Sequence, residues 1–432
     1  MFLQHGVFQA LCFRVLCFQV LCNVTGLFLL IHAAFFLSKG LPMKARLKSC
    51  LVATSLMTAV AWSGPTLADI KIGFIATMSG PAATLGQDMY DGFMLGIEHS
   101  GGTLGGQKIE VIREDDQLKP ELGVQIVNKL LQRDKVDMIA GVTFSNVMMA
   151  IAKPMADAGV VFVGSNAGPA PLAGKQCNPN FFFASWQNDM QAEVVGKYAN
   201  DIGYKNVYIL APNYQSGKDT VGGFKRLYKG NILGEVYTQV NQPDYSAEIA
   251  QMQASNPEAV FVFYPGGMGI NFIKQMRQAG LLGKIPLITV STTDGSTIPA
   301  LKETALGVVA GTFWGPDFSN PVSKKFVEDF EKKYKRIPSQ YAAQSYDSAL
   351  LIDSALKKTG GKVDNKQALT QALRAADFQS LRGNLKFNKN GFPVQDMYMF
   401  EVAKDAQGRV SLKTIAKPLV NHQDAYVNEC PL

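Results

Sequence analysis

Two short loops concentrate the groups that could hold a small anion. Gly141-Val142-Thr143-Phe144-Ser145-Asn146 leaves the apolar run VDMIA and opens onto a helical pattern, and Gly164-Ser165-Asn166-Ala167-Gly168 follows a second apolar run, VVFV. A hydroxyl beside the free N–H groups of a helix start suits a carboxylate. Either loop alone also reads as an ordinary Ser or Asn helix cap; at neighbouring strand ends the two together read as an anion-binding wall. A third loop, Tyr264-Pro265-Gly266-Gly267-Met268-Gly269, is glycine-rich and precedes a helical pattern. It lacks the GxGxxG spacing of a dinucleotide fingerprint, and its glycines read as close backbone approach beside an aromatic wall.

Constellations for covalent chemistry are weak. Residues 69–432 contain no HExxH, GxSxG or GxxxxGK[ST], and only His99 and His422 remain there as imidazole donors. Both read as surface or structural residues. Glu114-Asp115-Asp116 ends a strand pattern, but adjacent carboxylates in a strand point to opposite faces, so a turn or cap role fits better than a cation site. The chain is therefore expected to have no catalytic residues, no metal and no cofactor, and to bind without converting.

The elements that must position these loops alternate. IKIGFIA (70–76), IEVIREDD, VDMIA (136–140) and VVFVG (160–164) are strand patterns separated by helical ones at 86–98, 120–133 and 145–158. After a loop at 165–187 a second series begins with helix 188–202. NVYILA (206–211), EVYTQV (235–240), AVFVFY (259–264) and PLITV (286–290) then alternate with helices 217–229, 244–254 and 268–280. Buried parallel strands joined by crossover helices give this pattern, and two such series predict two similar lobes. Helices at 321–335, 339–359 and 364–375 follow. Loops at the carboxyl ends of parallel strands gather ligands, so a molecule gripped between two such edges is enclosed when the lobes close.

The net charge of +7 does not point to nucleic acid. Residues 1–68 hold Arg14, Lys39, Lys44, Arg46 and Lys48 and no acid, which leaves 37 basic against 35 acidic residues in the remainder. A nearly balanced surface carries no electrostatic case for a phosphate backbone. Residues 43–68 have the parts of a secretory signal: a basic start at Met43, an apolar stretch at 50–62, and small residues around Leu67 ahead of Asp69. Residues 1–42 are read as an upstream extension from a misplaced start, with a two-part leader or membrane anchor as the alternative. Beyond residue 68 only Cys177 and Cys430 remain. In an oxidising compartment they can close as a disulfide, or stay as two buried thiols.

The runs SGPAATLGQDMYDGFMLG (79–96), GVTFSN (141–146), FFFASWQNDMQ (181–191), NYQSGKD (213–219), SQYAAQSYDSALLI (339–352) and RGNLKFNKNGFPVQDMY (382–398) resemble the branched-chain-amino-acid-binding family of ABC importers. Within it they are most similar to the aromatic-acid-binding branch. The resemblance spans residues 69–432 nearly end to end. It implies an α/β type I periplasmic binding fold, two doubly wound lobes joined by a three-strand hinge, with crossings near 185–188, 313–316 and 396–402. Lobe 1 would comprise 69–186 and 315–398, and lobe 2 would comprise 187–314 and 399–432. It also implies a periplasmic location, a membrane permease partner, a small carboxylate ligand and a monomeric chain that binds no nucleic acid.

Carried over position by position, the resemblance puts Ser145, Asn166, Ala167 and Gly168 at the ligand carboxylate, where Gly168 replaces a threonine hydroxyl. It makes Tyr214 and Tyr264 pocket walls, and Leu85 reads as an apolar lid. Phe144 and Trp186 read equally as packing residues. The family's amino-acid binders carry an acid for the ligand amine shortly after the strand matching PLITV; here Thr292 or Thr293 falls there, with Asp294 just beyond. A neutral hydroxyl would leave a buried ammonium unpaired, at a cost of several kcal/mol as an order of magnitude. The expected ligand is thus an aromatic carboxylate without an α-amine. Branched-chain or other hydrophobic amino acids, or a ligand-sensing role for the same fold, are the alternatives.

Overall fold

The structure, a computed structural model, describes residues 69–383 and 385–432. The expected signal at 43–68 and the extension at 1–42 lie outside the described residues. The first series runs β1 (Ile70–Ala76), α1 (Ala83–His99), β2 (Thr103–Leu104), β3 (Gln107–Asp115), α2 (Pro120–Lys129), β4 (Met138–Gly141), α3 (Ser145–Asp157), β5 (Val161–Gly164), a short α4 (Ala170–Ala173) and β6 (Phe181–Phe183). Its sheet has the order β2-β3-β1-β4-β5-β6 and is parallel except for the β2–β3 hairpin.

The second series runs α5 (Met190–Ile202), β7 (Asn206–Pro212), α6 (Gln215–Leu227), β8 (Asn231–Thr238), α7 (Ser246–Ala254), β9 (Ala259–Phe263), α8 (Gly267–Gln278), β10 (Leu287–Val290), α9 (Ile298–Leu301) and β11 (Val309–Thr312). Then come α10 (Pro321–Tyr334), α11 (Gln340–Thr359), α12 (Lys366–Ala375), β12 (Lys386–Phe387), β13 (Pro393–Lys404) and β14 (Val410–His422). The second sheet has the order β12-β13-β11-β10-β9-β7-β8, with β14 on β13 and the last strands antiparallel. The two parallel sheets, each with helices against it, are the two lobes of a type I periplasmic binding fold. Helix α11 packs along α1 beside the first sheet, and α5 lies on β10, β11 and β13 of the second.

Central strands read as unbroken apolar runs because both faces are covered: Phe74, Phe162, Phe182 and Phe261 are fully buried. The chain crosses between the sheets after β6, after β11 and within the first half of β13. The third crossing lies in the first half of β13, between Phe392, which stacks on Phe183 of the first sheet, and Tyr398, which pairs with Thr312 of β11, and so meets the start of the expected 396–402. Arg382 ties all three together. Its guanidinium donates to the carbonyls of Ala184 (2.6 Å) and Ser185 (2.9 Å) in the first crossing and to Gln395 Oε1 (2.7 Å) at the third. It also lies 4.2 Å from the Phe313 ring centre in the second. Asp347, buried on α11, accepts from Arg382 Nε at 3.1 Å.

After β14 the chain turns back to the first sheet's side. Tyr426 packs on the cluster around Phe162 and Phe181, and Cys430 comes to Cys177 with a Cα separation of 5.7 Å. Among the described residues no helix is long and apolar enough to cross a membrane.

Candidate functional site

Each sheet reverses its strand order once, between β1 and β4 in the first and between β7 and β9 in the second. At such a switch point the flanking loops leave toward opposite faces and open a crevice. Leu85 follows β1, Ser145 follows β4, Tyr214 follows β7, and Phe263 and Pro265 sit at the end of β9. All of these line one cavity. The two crevices thus face each other, and their edges touch: a β-carbon placed at Gly266 would lie 2.8 Å from Leu85 Cδ1. The space enclosed is narrow, about 20 Å³, so a ring-sized molecule enters only as the sheets part.

Helices α3 and α6 point their amino termini at this cavity, and their first N–H groups lack partners within the helix. Ser145 is the first residue of α3, and its Oγ accepts a 3.0 Å hydrogen bond from Asn188 Nδ2. The other hydrogen of that amide goes to Asp219 Oδ2 at 2.8 Å. Asp219, whose carboxyl burial pushes up, also accepts from Ala170 N and Gln215 Nε2 and so fixes the amide's orientation. With the Asn188 amide on one side of its oxygen, and no acceptor for its proton among the described residues, the Ser145 O–H can donate into the cavity.

Tight backbone turns aim both edges. Val142 stands at φ 73° after β4, and Ser291 at φ 50° after β10. For a β-branched residue in particular this is a strained conformation, of the kind retained where a loop must be aimed. Ser291 lines the cavity and is held in a network with Gln191 and Gln340. Gln340 Nε2 donates to Ser291 Oγ at 2.9 Å, and Ser291 Oγ lies 3.2 Å from Gln191 Oε1.

Of the residues singled out from sequence, Leu85, Ser145, Asn166, Ala167 and Tyr214 come together on the cavity wall. Two of these already have hydrogen-bond partners. The Asn166 amide donates to the Thr143 carbonyl and its Oδ1 accepts from Gln344, while the Ala167 N–H goes to Val142 O. In the second loop the Ala167 N–H and one hydrogen of the Asn166 amide are thus already engaged.

Gly168, Tyr264, Thr292 and Asp294 are not on the wall. A β-carbon at Gly168 would fall 2.0 Å from the Trp186 carbonyl oxygen, so this glycine serves close packing. The Tyr264 ring is buried with Tyr245 and Phe272 on the far face of the second sheet. Thr292 Oγ1 accepts from Tyr264 N and lies on the Val262 and Val290 carbonyls. Asp294 is buried behind the cavity, where its Oδ1 accepts from Ser296 N and Oγ, and burial lifts its carboxyl to about 6.

The wall gains residues that the sequence reading left out: Thr143, Asn188, Gln191, Ser216, Thr220, Ser291 and Tyr341, with Phe144 and Trp186 resolved as wall as well as packing. Most lie inside the runs FFFASWQNDMQ, NYQSGKD and SQYAAQSYDSALLI. Rings of Phe144, Trp186, Tyr214, Phe263 and Tyr341 surround the cavity; Tyr214 and Phe263 stack at 6.2 Å. Burial keeps the Tyr214 and Tyr341 hydroxyls protonated well above the usual tyrosine range. No Asp, Glu, Lys, Arg or His is among the described residues of the wall. The acidic run on β3 is absorbed structurally: Glu114 pairs with Lys129, while Asp115 and Asp116 cap the turn at Met78, Gln117 and Leu118.

Residues 69–407 match the family described as periplasmic binding protein. The chain is 27% identical over 385 residues to Leu/Ile/Val-binding protein homolog 6 of Brucella melitensis, covering 86% of this chain and 96% of that one. It is similar to a solved ABC transporter solute binding protein of R. palustris in complex with benzoate, at TM-score 0.80 and 28% identity over 84% of this chain and 100% of that one. It is also similar to a solute binding protein from Rhodopseudomonas palustris BisB5 in complex with 3,4-dihydroxy benzoic acid, at TM-score 0.76 and 29% identity over 83% of this chain and 99% of that one.

Proposed function

Because the chain belongs to the periplasmic binding protein family, we propose that it is the extracytoplasmic solute-binding component of an ABC importer and captures an aromatic carboxylate without altering it. The observation that carries the reading is a cavity walled by five aromatic rings with no acidic side chain on it among the described residues. An α-ammonium group enclosed there would have no counter-ion, a cost of several kcal/mol as an order of magnitude. A carboxylate would be met by the free O–H of Ser145 and the first N–H groups of α3, while the ring lies between Leu85, Tyr214 and Phe263. The benzoate and dihydroxybenzoate complexes of similar proteins agree with this chemistry.

In this reading residues 43–68 direct secretion, the lobes part and close about the three crossings, and a membrane permease receives the loaded, closed form. Cys177 and Cys430, brought together in the fold, form a disulfide in the periplasm.

A thermal-shift titration tests the ligand class, using residues 69–432 purified in denaturant and refolded so that no carried-over ligand remains. Saturable stabilisation by benzoate or 4-hydroxybenzoate, with none by phenylalanine or leucine, is the expected outcome. Stabilisation by leucine or valine and not by the aromatic acids would replace the aromatic-acid reading with hydrophobic amino-acid binding.

A further inference from the structure

A second and larger cavity, of about 310 Å³, lies beside the first. That is the lower end of the range for small-molecule sites. One side is built by α9 and the start of β14 on the second sheet's side. The other is the connection between α10 and α11 on the first sheet's side, and Trp314 and Pro316 of the second crossing form its back. At its inner end the two sides meet directly: a β-carbon at Gly295 would lie 2.8 Å from the Pro338 carbonyl oxygen. Gln340 lines this cavity and, through Ser291 and Gln191, the first one as well. It is the partition between them.

The lining is apolar in its body and cationic at its mouth. Ile298, Pro299, Trp314, Pro316, Ile337 and Leu412 supply the body, with Trp314 held in place by its indole N–H bond to Ser323 Oγ at 2.9 Å. Three cations reach it, and they differ in kind. Arg336 is engaged with Asp88 and Asp91, at 2.6 Å to each. Lys302 and Lys335 are exposed, stand on opposite sides of the mouth, and have no carboxylate within ion-pair distance among the described residues. An apolar pocket with two unpaired ammonium groups at its opening is complementary to a molecule that is apolar at one end and anionic at the other.

We propose that this cavity is a second binding site, separate from the cleft between the switch points, for an amphipathic organic anion. Its apolar body fills the space against Trp314, Ile298 and Leu412, and its carboxylate or sulfonate meets Lys302 and Lys335. The site is independent of which solute the cleft takes.

The test uses 8-anilinonaphthalene-1-sulfonate as the probe, titrated by fluorescence into residues 69–432 and into two double variants. One is Lys302→Glu with Lys335→Glu, at the mouth of the cavity; the other is Ser145→Ala with Tyr214→Ala, in the cleft. Thermal midpoints confirm that both fold. The expected result is saturable binding at one dye per chain that weakens at least tenfold in the lysine variant and is unchanged in the cleft variant. Dye binding that survives the lysine reversal, that disappears with the cleft substitutions, or that is absent from the parent protein overturns the proposal. Because the dye is followed directly, a failure of the aromatic-acid reading of the cleft leaves this result untouched.

Discussion

Asn188 Nδ2 stands 3.0 Å from Ser145 Oγ and 2.8 Å from Asp219 Oδ2. A residue of the first crossing thus sets the donor direction of a hydroxyl at the end of a first-sheet strand. Replacing Ser145 by Ala removes the donor and leaves Asn188 with Asp219 as its remaining acceptor. We expect affinity for an aromatic carboxylate to fall about 10- to 100-fold by calorimetry, in keeping with a hydrogen bond to a charged group. The chemical-denaturation midpoint should move little.

Ser291 lines the cavity one residue before Thr292, where the amine partner was expected. Its left-handed backbone, φ 50°, is one that Asp accepts readily. Ser291→Asp is expected to weaken benzoate binding at least tenfold and to raise affinity for phenylalanine or leucine by a comparable factor. A titration in which both ligand classes weaken equally would show that this side chain does not face the ligand's α-carbon.

Restoring a side chain at Gly168 tests its packing role. With the Trp186 carbonyl 2.0 Å from the β-carbon position, Gly168→Thr must displace backbone. Overpacking of this kind costs about 1–3 kcal/mol. The expected signature is a lower urea midpoint and no gain in ligand affinity.

The Asp294 carboxyl is lifted to about 6 by burial, with the neighbouring Asp88 adding to the rise and bonds from Ser296 opposing it. The folded chain therefore keeps this proton between about pH 4 and 6, where the unfolded chain has lost it. Stability from this group is greatest below pH 4, declines as pH rises to 6, and is level above. Asp294→Asn should be more stable than the parent at pH 7.5, by on the order of 2 kcal/mol, and should lose part of the decline between pH 4 and 6. Asp189, also at about 6, titrates in both proteins, so the difference between their urea midpoints isolates Asp294.

Arg382 and Asp347 form a buried pair, 2% and 0% exposed at the side chain. Removing one member leaves the other uncompensated, at about 3–5 kcal/mol. Arg382→Ala is expected to lower thermal stability by that order. It should also broaden the small-angle scattering envelope, because the three crossings lose their shared contact.

The parallel strands were legible because burial on both faces leaves unbroken apolar runs, as in AVFVF of β9. β6 is only three residues, Phe181–Phe183, too short for any period, and it read as loop. The β13–β14 hairpin escaped notice because β13, although its burial alternates, carries apolar side chains such as Val394 and Tyr398 on its outward positions as well, which hides the period in the sequence.

At the site, strand ends told which loops matter but not which residue within them. Tyr264 and Thr292 were expected where Phe263 and Ser291 stand. At the end of β9 successive side chains leave on opposite faces, and after β10 the left-handed turn at Ser291 re-aims the chain, so a one-residue error exchanges wall for far face. Asn188 comes from the first crossing, Gln191 and Tyr341 from the starts of α5 and α11, and their position depends on long-range packing that no local pattern encodes.

Joined to Cys177 as proposed, Cys430 would close a loop of chain that contains every strand of the second sheet, from β7 to β14. A protease that cuts an exposed turn inside that loop, such as at Gly283–Lys284, would then release no fragment. The two pieces remain one covalent molecule and separate only on a reducing gel. A nicked protein can keep both walls of its cavity in register, which gives the binder a tolerance to proteolysis beyond what its fold alone provides.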